Sequence, residues 1–187
     1  MNTKAPLTID ADYLRKFLEG ERSTVRDKGR EFAAHPALRL KPEWSLERKR
    51  QATLEGVVAL ANAGFTTLAI PKHMGGPEDY AAYVAGFEEL VLAEPSIQVK
   101  AGVQYGLFSG AIHHLGNKDQ HERWLKDALE GKLLGSFAMT EIGHGSDVAN
   151  VDTTATYDPM KQEFVIHTPH RQAVKEYIGN AAAHAQA

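Results

Sequence analysis

A glycine-rich segment that also carries hydroxyl and acidic side chains lies at residues 135–148, where the sequence changes character. Its order is Gly-Ser-Phe-Ala-Met-Thr-Glu-Ile-Gly-His-Gly-Ser-Asp-Val. Gly143 and Gly145 allow backbone N–H groups to approach a ligand closely, and successive amides can form a concave anion-binding surface. Thr140 and Ser146 add neutral hydroxyl groups. These residue types suit a flat, heteroatom-rich or phosphorylated ligand, although a plain turn between two domains would use the same residues.

The glycines do not form either of two common phosphate-binding motifs. A P-loop needs Gly-Lys-Ser/Thr after the glycines, and no such sequence follows here. A dinucleotide-binding fingerprint needs a third glycine where Val148 stands, within a βαβ unit that this sequence does not form. A ligand of this segment would therefore be bound in another way.

The composition is that of an ordinary globular protein. The 187 residues, enough for one domain or one and a half, are 24% charged and 43% hydrophobic, and the formal net charge is -3. This charge implies no general attraction to nucleic acid or to membranes, and no apolar run reaches the roughly 20 residues of a bilayer-spanning helix. Because the chain has no cysteine, disulfides, thiolate catalysis and cysteine–metal sites are excluded.

Neither end of the sequence carries a recognised targeting signal. The N-terminal Met-Asn-Thr-Lys-Ala-Pro lacks the hydrophobic core of a signal peptide. The C-terminal Ala-Gln-Ala differs from the peroxisomal Ser-Lys-Leu type of address. The lack of cysteine is also compatible with a reducing compartment, so we expect a cytoplasmic protein.

The first two thirds of the sequence have the spacing of amphipathic helices. Ser45 is a candidate N-cap and Gly64 a candidate stop, while Asn117 and Gln120 have the pattern of a capping box. The helix after Ser96 is apolar on most sides, so we expect it to be buried. The predicted helices span residues 10–19, 24–34, 45–64, 79–94, 97–115 and 117–130.

Two adjacent carboxylates, Glu88 and Glu89, raise the question of acid–base catalysis. Adjacent residues on a helix point about 100° apart and do not face each other. We therefore expect both carboxylates to lie on the surface, while Val84, Phe87 and Val91 point inward.

From Leu133 onward the periodicity becomes that of β-strands. A strand-like segment at residues 133–139 leads into the glycine-rich segment, and alternation resumes over residues 151–157. After the turn at Asp158-Pro159, residues 163–168 are predicted to form the return strand, and a third strand to start within residues 176–180.

Histidines occur close together at two places, but neither has the spacing of a helical metal site. Pro169 lies between His167 and His170, and His113 and His114 are adjacent rather than one turn apart. No third ligand is evident, so we predict no metal site.

The segment from Met139 to Asp147 resembles the signature of the acyl-CoA oxidases, within the acyl-CoA dehydrogenase superfamily. Further segments resemble the same family in order and spacing, and the resemblance extends from Trp44 to the end, with little in the first forty residues. These further segments are residues 70–76, 115–125, 153–159, 163–166 and 175–182.

The resemblance implies an α+β fold, in which an N-terminal helical bundle domain is followed by the first strands of a β-barrel or β-sandwich domain. It divides the chain into an N-terminal extension with short helices at residues 1–40, a helical domain at 41–132, and an incomplete β-domain at 133–187. The fold would thus be a truncated form of the acyl-CoA dehydrogenase fold.

The resemblance also implies FAD as cofactor and acyl-CoA as substrate. Tyr177 stands where the family usually has tryptophan, so an aromatic face is kept but the indole N–H is lost. The implied flavin-contacting residues are Phe137, Met139, Thr140, Tyr177, Gly179 and Asn180. The implied substrate-contacting residues are Gly145 and Ser146, near the thioester and pantetheine arm, with Tyr105 and Phe108 in the acyl pocket.

In this family, acyl-CoA is converted to trans-2-enoyl-CoA during fatty-acid β-oxidation, and a glutamate from a C-terminal helical bundle is the base. No residue of this chain matches that glutamate, and Glu141 is not its equivalent. The resemblance therefore implies an N-terminal portion that is inactive alone and that works with a C-terminal half or as a homo-oligomer. The alternative is a non-catalytic flavin or acyl-CoA binding module, or one subunit of a split dehydrogenase.

Overall fold

The computed structural model describes residues 9–187, which are mainly helical and include a two-stranded sheet. This part of the chain forms two compact units, one ending at Val99 and the other comprising Lys100–Ala187. The domain limits expected from the resemblance, at residues 40 and 132, remain predictions. Among residues 9–187, no helix is both long and apolar enough to cross a membrane.

Side-chain caps fix where three helices of the first unit begin. Asp10, Ser45 and Asp79 each accept a hydrogen bond from the backbone N–H three residues later, at 3.0, 3.2 and 2.9 Å. The predicted helix starts at these residues are thereby confirmed. The α-helices are α1 (Ala11–Glu19), α2 (Ser23–Ala33), α3 (Leu46–Asn62) and α4 (Tyr80–Glu88), and α4 ends in a 3₁₀ turn at Glu89–Leu92.

Two glycines allow close packing in the core of the first unit. A Cβ atom on Gly56 of α3 would lie 2.7 Å from Cδ1 of Ile97, and one on Gly29 of α2 would lie 2.9 Å from Cβ of Glu89. A side chain at either position would force these neighbours to shift. Around these contacts the buried apolar residues include Ala33, Leu38, Ala52, Val57, Leu60, Ala85 and Leu90.

The predicted orientation of the residues around the paired glutamates is wrong for three of them. Glu89 is buried, whereas Val84 and Val91 are each 51% exposed. The reason is a set of ion pairs with α2. Nη1 of Arg26 donates to Oε1 of Glu89 at 2.8 Å, and Nη2 of Arg26 pairs with Glu88. Nη1 of Arg30 lies 3.2 Å from the same oxygen of Glu89. The carboxylates of Glu88 and Glu89 therefore hold α2 against the end of α4.

We expect Glu89→Ala to destabilise the first unit by about 2 kcal/mol, because it leaves the partly buried guanidinium groups of Arg26 and Arg30 without their shared partner. Urea unfolding followed by far-UV circular dichroism measures the change. Glu88→Ala is the matched control, since the Glu88 side chain is 54% exposed, and it should cost less than about 1 kcal/mol. Equal costs for the two variants would contradict this assignment.

A long helix with two changes of pitch leads into the second unit. It begins as α5 (Pro95–Ala101), continues as a π-helical stretch at Gly102–Phe108, and ends as α6 (Ser109–Leu115). Asn117 and Gln120 form the predicted capping box. It starts a second helix made of α7 (Lys118–Gln120), a π-helical stretch at His121–Leu125, and α8 (Lys126–Leu129).

The helix over residues 97–115 is buried on one side rather than all round, which corrects the prediction. Gln104, Tyr105 and Ser109 are buried, whereas Leu107 and Leu115 are exposed. A Cβ atom on Gly106 or Gly110 would meet no atom within 4 Å in the described part of the chain. The exposed side of this helix therefore leaves room beside its backbone.

The predicted hairpin is confirmed, with β1 at Thr154–Asp158 and β2 at Glu163–His167. The strands are antiparallel, and their register pairs Ala155 with Ile166 and Tyr157 with Phe164 on one face. This face is apolar, yet the side chains of Tyr157, Phe164 and Ile166 are exposed.

The other two predicted strands do not form. In residues 176–180 the backbone of Tyr177 and Asn180 is left-handed, with φ of 60° and 69°, which a strand cannot continue through. In residues 133–139 the N–H of Met139 donates to the carbonyl of Phe137 at 3.1 Å, which is the hydrogen bond of a three-residue turn rather than of a strand. Both segments are loops held by other contacts.

Candidate functional site

Gln104 anchors the start of the glycine-rich segment to the long helix. The side chain of Gln104 is fully buried, and its Nε2 donates to the carbonyls of Ala128 and Leu133, each at 2.9 Å. Its Oε1 accepts from the N–H of Gly135 at 3.0 Å. Because both N–H groups and the oxygen of the amide are used, Gln104 fixes the path of the chain between α8 and the segment.

Tyr105 and Phe108, the two predicted acyl-pocket residues, lie on the π-helical stretch and have different neighbours. The hydroxyl of Ser109 donates to the carbonyl of Gln104 at 2.8 Å, so that carbonyl is satisfied where the helix widens. Tyr105 is buried within the second unit. The ring of Phe108 lies against the backbone of Gly135, so closely that any side chain there would collide with it. Phe108 is thereby placed beside the start of the candidate site.

Asn180 joins the second predicted flavin segment to the first. Its Oδ1 accepts a hydrogen bond from Nζ of Lys100 at 2.6 Å, and its Nδ2 donates to the carbonyl of Gly135 at 3.0 Å. Partial burial lowers the pKa of Lys100. Nearby, Gly179 packs on Val103, whose Cγ2 would be 2.8 Å from an added Cβ. The amide of Asn180 thus has an internal structural role.

Glu141 is the central acid of the site, and it is completely buried. Its carboxylate accepts hydrogen bonds from the backbone N–H groups of Asp152 and Thr153, at 2.8 and 2.9 Å. Nζ of Lys175 lies 2.9 Å from Oε1 of Glu141 and also donates to the carbonyl of Met139 at 2.9 Å. One buried ion pair therefore holds three separate stretches of the chain together.

These contacts keep Glu141 ionised although it is buried. Burial alone would raise the pKa of Glu141, but hydrogen bonds from Thr153, Asp152 and Lys175 outweigh burial and lower this pKa to about 2. A carboxylate with so low a pKa and so many donors around it is a poor proton acceptor at neutral pH. The geometry thus gives Glu141 a structural role.

The tip of the glycine-rich segment is a tight turn. The N–H of Glu141 donates to the carbonyl of His144 at 3.0 Å, and the N–H of His144 donates back to Glu141 at 3.1 Å. Beside this turn, Ile142 donates to Val174 at 3.0 Å and Gly143 donates to Gln172 at 2.8 Å. The turn therefore runs antiparallel to residues 172–175.

The predicted flavin residues fall into two groups by exposure. Phe137, Thr140 and Asn180 are half-buried, whereas Gly179 is exposed, as are Met139 at 40% and Tyr177 at 86%. The carbonyl of Thr140 accepts from the N–H of Glu176 at 3.2 Å, which brings Thr140 next to the segment that leads to Tyr177. This backbone hydrogen bond thus brings the two predicted flavin segments next to each other.

The predicted substrate residues are more dispersed. Gly145 and Ser146 lie exposed on the loop after the tight turn, and a Cβ atom on Gly145 would meet no described atom within 4 Å. Sequence reasoning did not single out Gln104, Lys100 or Lys175. The signal for Gln104 was a glutamine directly between two apolar residues, Val103 and Tyr105, of a helix expected to be buried, because a buried amide must find partners.

Comparison with known proteins agrees with this architecture. Residues 19–132 match the family described as acyl-CoA dehydrogenase, N-terminal domain. The chain belongs to the acyl-CoA dehydrogenase family. It is 38% identical over 141 residues to acyl-coenzyme A oxidase 3, peroxisomal, from Arabidopsis thaliana, an alignment that covers 75% of this chain and 21% of that protein.

Two solved structures of the family have a similar fold. Acyl-CoA oxidase 1 from Yarrowia lipolytica superposes with a TM-score of 0.73 at 29% identity, over 91% of this chain and 24% of that chain. An acyl-CoA dehydrogenase from Bacillus anthracis, solved in complex with FAD, gives a TM-score of 0.64 at 22% identity, over 78% and 25% of the two chains. The chain thus spans about a quarter of these relatives, and the predicted family and fold class are confirmed.

We expect Gln104→Leu to destabilise the second unit by on the order of 3 kcal/mol, because the N–H of Gly135 and two carbonyls would lose their buried partner. Urea unfolding measures this cost. Gln172→Leu, at an exposed position, is the control and should change stability by less than about 0.5 kcal/mol. A loss below about 1 kcal/mol in Gln104→Leu would argue against the anchoring role.

The depressed pKa of Glu141 predicts a pH-dependent difference between the wild type and Glu141→Gln. Because the folded-state pKa lies near 2, below the unfolded value of about 4.3, ionised Glu141 stabilises the fold above that unfolded value. The contribution is lost as the pH falls towards 2. The wild type should therefore unfold at a higher temperature than Glu141→Gln at pH 7.

The difference between the two melting temperatures should shrink steadily between pH 5 and pH 2, as measured by thermal unfolding in matched buffers. Comparing the two proteins at each pH removes the contribution of the other carboxylates, which is the same in both. A difference that stays constant over this range would show that ionised Glu141 is not the stabilising species.

Proposed function

We propose that this chain forms part of the flavin and acyl-CoA sites of an FAD-dependent acyl-CoA oxidase-like enzyme, which converts acyl-CoA to trans-2-enoyl-CoA in fatty-acid β-oxidation. The observation that carries the proposal is the meeting of two predicted flavin segments, through the pair of Lys175 and Glu141 and through the bridge from Asn180 to Gly135. The oxidase names of the relatives support the same reaction.

The residues of the site fit a flavin in their chemistry. Thr140 offers a hydroxyl on a segment held rigid from both ends, and Met139 and Tyr177 offer exposed apolar and aromatic surface on which a flat ring can pack. We infer that these residues hold the ring, with Phe137 and Gly179 beside them. When bound, FAD supplies the capacity to accept a hydride, while the chain's own residues bind and orient.

The acyl chain of the substrate has a suitable surface on the long helix. The space beside Gly106 and Gly110 is open among the described residues, whereas on the same helix Tyr105 is buried and Phe108 packs against Gly135. We infer that the acyl chain lies along this face and that Gly145 and Ser146 meet the thioester end. Exposed backbone N–H groups at a glycine can approach such a group closely.

The chain does not provide a catalytic base in this proposal. Glu141 is the acid nearest the flavin threonine, and its carboxylate is held ionised by Asp152, Thr153 and Lys175. We infer that the base comes from the part of the enzyme that this chain does not span, so that the chain alone is inactive. The partner of this chain is therefore either a C-terminal half of the enzyme or a further copy in a homo-oligomer.

A second candidate is a non-catalytic flavin or acyl-CoA binding module, or one subunit of a split dehydrogenase. The exposed apolar face of the hairpin, with Tyr157, Phe164 and Ile166, favours it because such faces mark contacts with another polypeptide.

A cytoplasmic location remains our prediction, although the names of the Arabidopsis relatives include the word peroxisomal.

The first experiment is an anaerobic titration of the purified 187-residue chain with FAD, followed by a saturated acyl-CoA, while the flavin absorbance is recorded. We expect flavin to bind and to keep its colour, because the base is missing. Bleaching would mean that the chain is catalytically sufficient. No binding of FAD would contradict a cofactor site formed by these residues.

In the same assay Thr140→Val should weaken FAD binding by about tenfold, because one hydrogen bond to the flavin is lost without a change in volume. Thr154→Val, on the exposed hairpin, is the matched control and should leave the dissociation constant unchanged. An equal effect of both variants on the dissociation constant would contradict the assignment of Thr140 to the flavin site.

A further inference from the structure

Helix α1 has its charged side towards the neighbouring helix and its apolar side towards solvent. Nη1 of Arg15 donates to Oδ1 of Asp27 at 2.9 Å, and the guanidinium group of Arg30 donates to both carboxylate oxygens of Glu19, at 2.9 and 3.0 Å. Asp27 and Arg30 belong to α2, so these ion pairs attach α1 to α2. A surface helix usually has the opposite orientation, with its apolar stripe facing the core.

The outer face of α1 is formed by five large apolar residues. Ile9, Tyr13 and Phe17 follow one another at intervals of four residues, and Leu14 and Leu18 form a second row beside them. The rings of Tyr13 and Phe17 are stacked, with their centroids 6.4 Å apart. Leu14 is 42% exposed and the other four residues are 70–76% exposed. Water therefore contacts a continuous apolar surface, and such a surface marks an interaction site.

The charges of α1 do not suit an anionic membrane surface. A helix that lies on such a membrane has a polar face rich in Lys and Arg. In residues 10–19 three acidic residues outnumber two basic ones, and one of the two, Arg15, already pairs with Asp27. The occupant that these charges favour is therefore a protein surface.

The same charges make the face complementary to itself. Asp10 and Lys16 are each three positions from Tyr13, on opposite sides of it. If two copies of α1 pack antiparallel about a twofold axis at Tyr13, Asp10 of each copy comes level with Lys16 of the other. Ile9 of each copy likewise comes level with Phe17 of the other. A parallel pair would instead bring like charges to the same level, which is unfavourable.

We propose that the exposed apolar face of α1 binds the same face of a second copy of this chain, as an antiparallel helix pair. A covered aromatic residue buries about 150–250 Å², so the two faces together remove on the order of 1,000 Å² from water, at the lower end of specific interfaces. The dimer should therefore form at micromolar rather than nanomolar concentration. The proposal does not depend on the flavin proposal.

The test is sedimentation equilibrium of the 187-residue chain over the micromolar concentration range, where we expect a reversible equilibrium between monomer and dimer. Phe17→Asp should weaken the dimer by about tenfold or more, because it places a carboxylate in the apolar contact. Lys16→Glu should weaken it severalfold, because a glutamate there repels Asp10 of the other copy. Circular dichroism checks that both variants remain folded, which is expected because both positions are exposed.

Phe164→Asp and Lys28→Glu are the matched controls, because they change an exposed phenylalanine of the hairpin and an exposed lysine of α2. Neither should change the dissociation constant of the dimer. The proposal is overturned if the wild type stays monomeric over the whole range, whether or not it binds vesicles that contain anionic phospholipid. It is also overturned if the dimer survives Phe17→Asp, or if Phe164→Asp abolishes it, since the hairpin would then be the contact.

Discussion

The buried carboxylate of Glu141 is the constraint on which the arrangement of the second unit depends. A charge removed from water must be paired and hydrogen-bonded, or the fold that buries it is not stable. Here two backbone N–H groups and the ammonium group of Lys175 meet that requirement. Since the donors come from residues 152–153 and 175, satisfying one side chain determines where three stretches of chain lie. The candidate flavin residues Met139, Thr140 and Tyr177 lie within two residues of Glu141 or Lys175.

Side-chain hydrogen bonds replace a backbone ladder in this region. Outside the short hairpin, the loops of the second unit have few strand-to-strand pairs to define their paths. Gln104 and Asn180 supply neutral equivalents of the Glu141 contacts, each binding backbone groups of the segment that starts at Leu133. A buried amide or carbonyl without a partner costs free energy. Each of these groups must therefore point at its partner, which makes the contacts specific in direction. This specificity explains how loops can present Thr140 in a fixed position.

The acids and histidines of the chain show that residue type alone does not set a role. Glu88 and Glu89 are adjacent and identical, yet Glu88 is exposed and Glu89 is buried against α2. The difference arises from the position of Arg26 and Arg30 on the neighbouring helix. In the same way, His144 and His170 are far apart in the sequence, yet Nε2 of each lies close to Oδ2 of Asp152, at 3.2 and 3.6 Å.

The sequence by itself determined the family, the starts of the capped helices and the hairpin, because these depend on local signals. The caps at Asp10, Ser45 and Asp79 act within one turn, and alternation over residues 151–167 is a short-range pattern. Only the tertiary structure decided that residues 133–139 and 176–180 are loops, and that Glu141 is a buried anchor. Those outcomes depend on partners far away in the sequence, such as Gln104 and Lys175. A local sequence pattern does not show which remote residue a buried group will pair with. Pairing between remote residues is settled by packing and by the cost of unpaired buried groups.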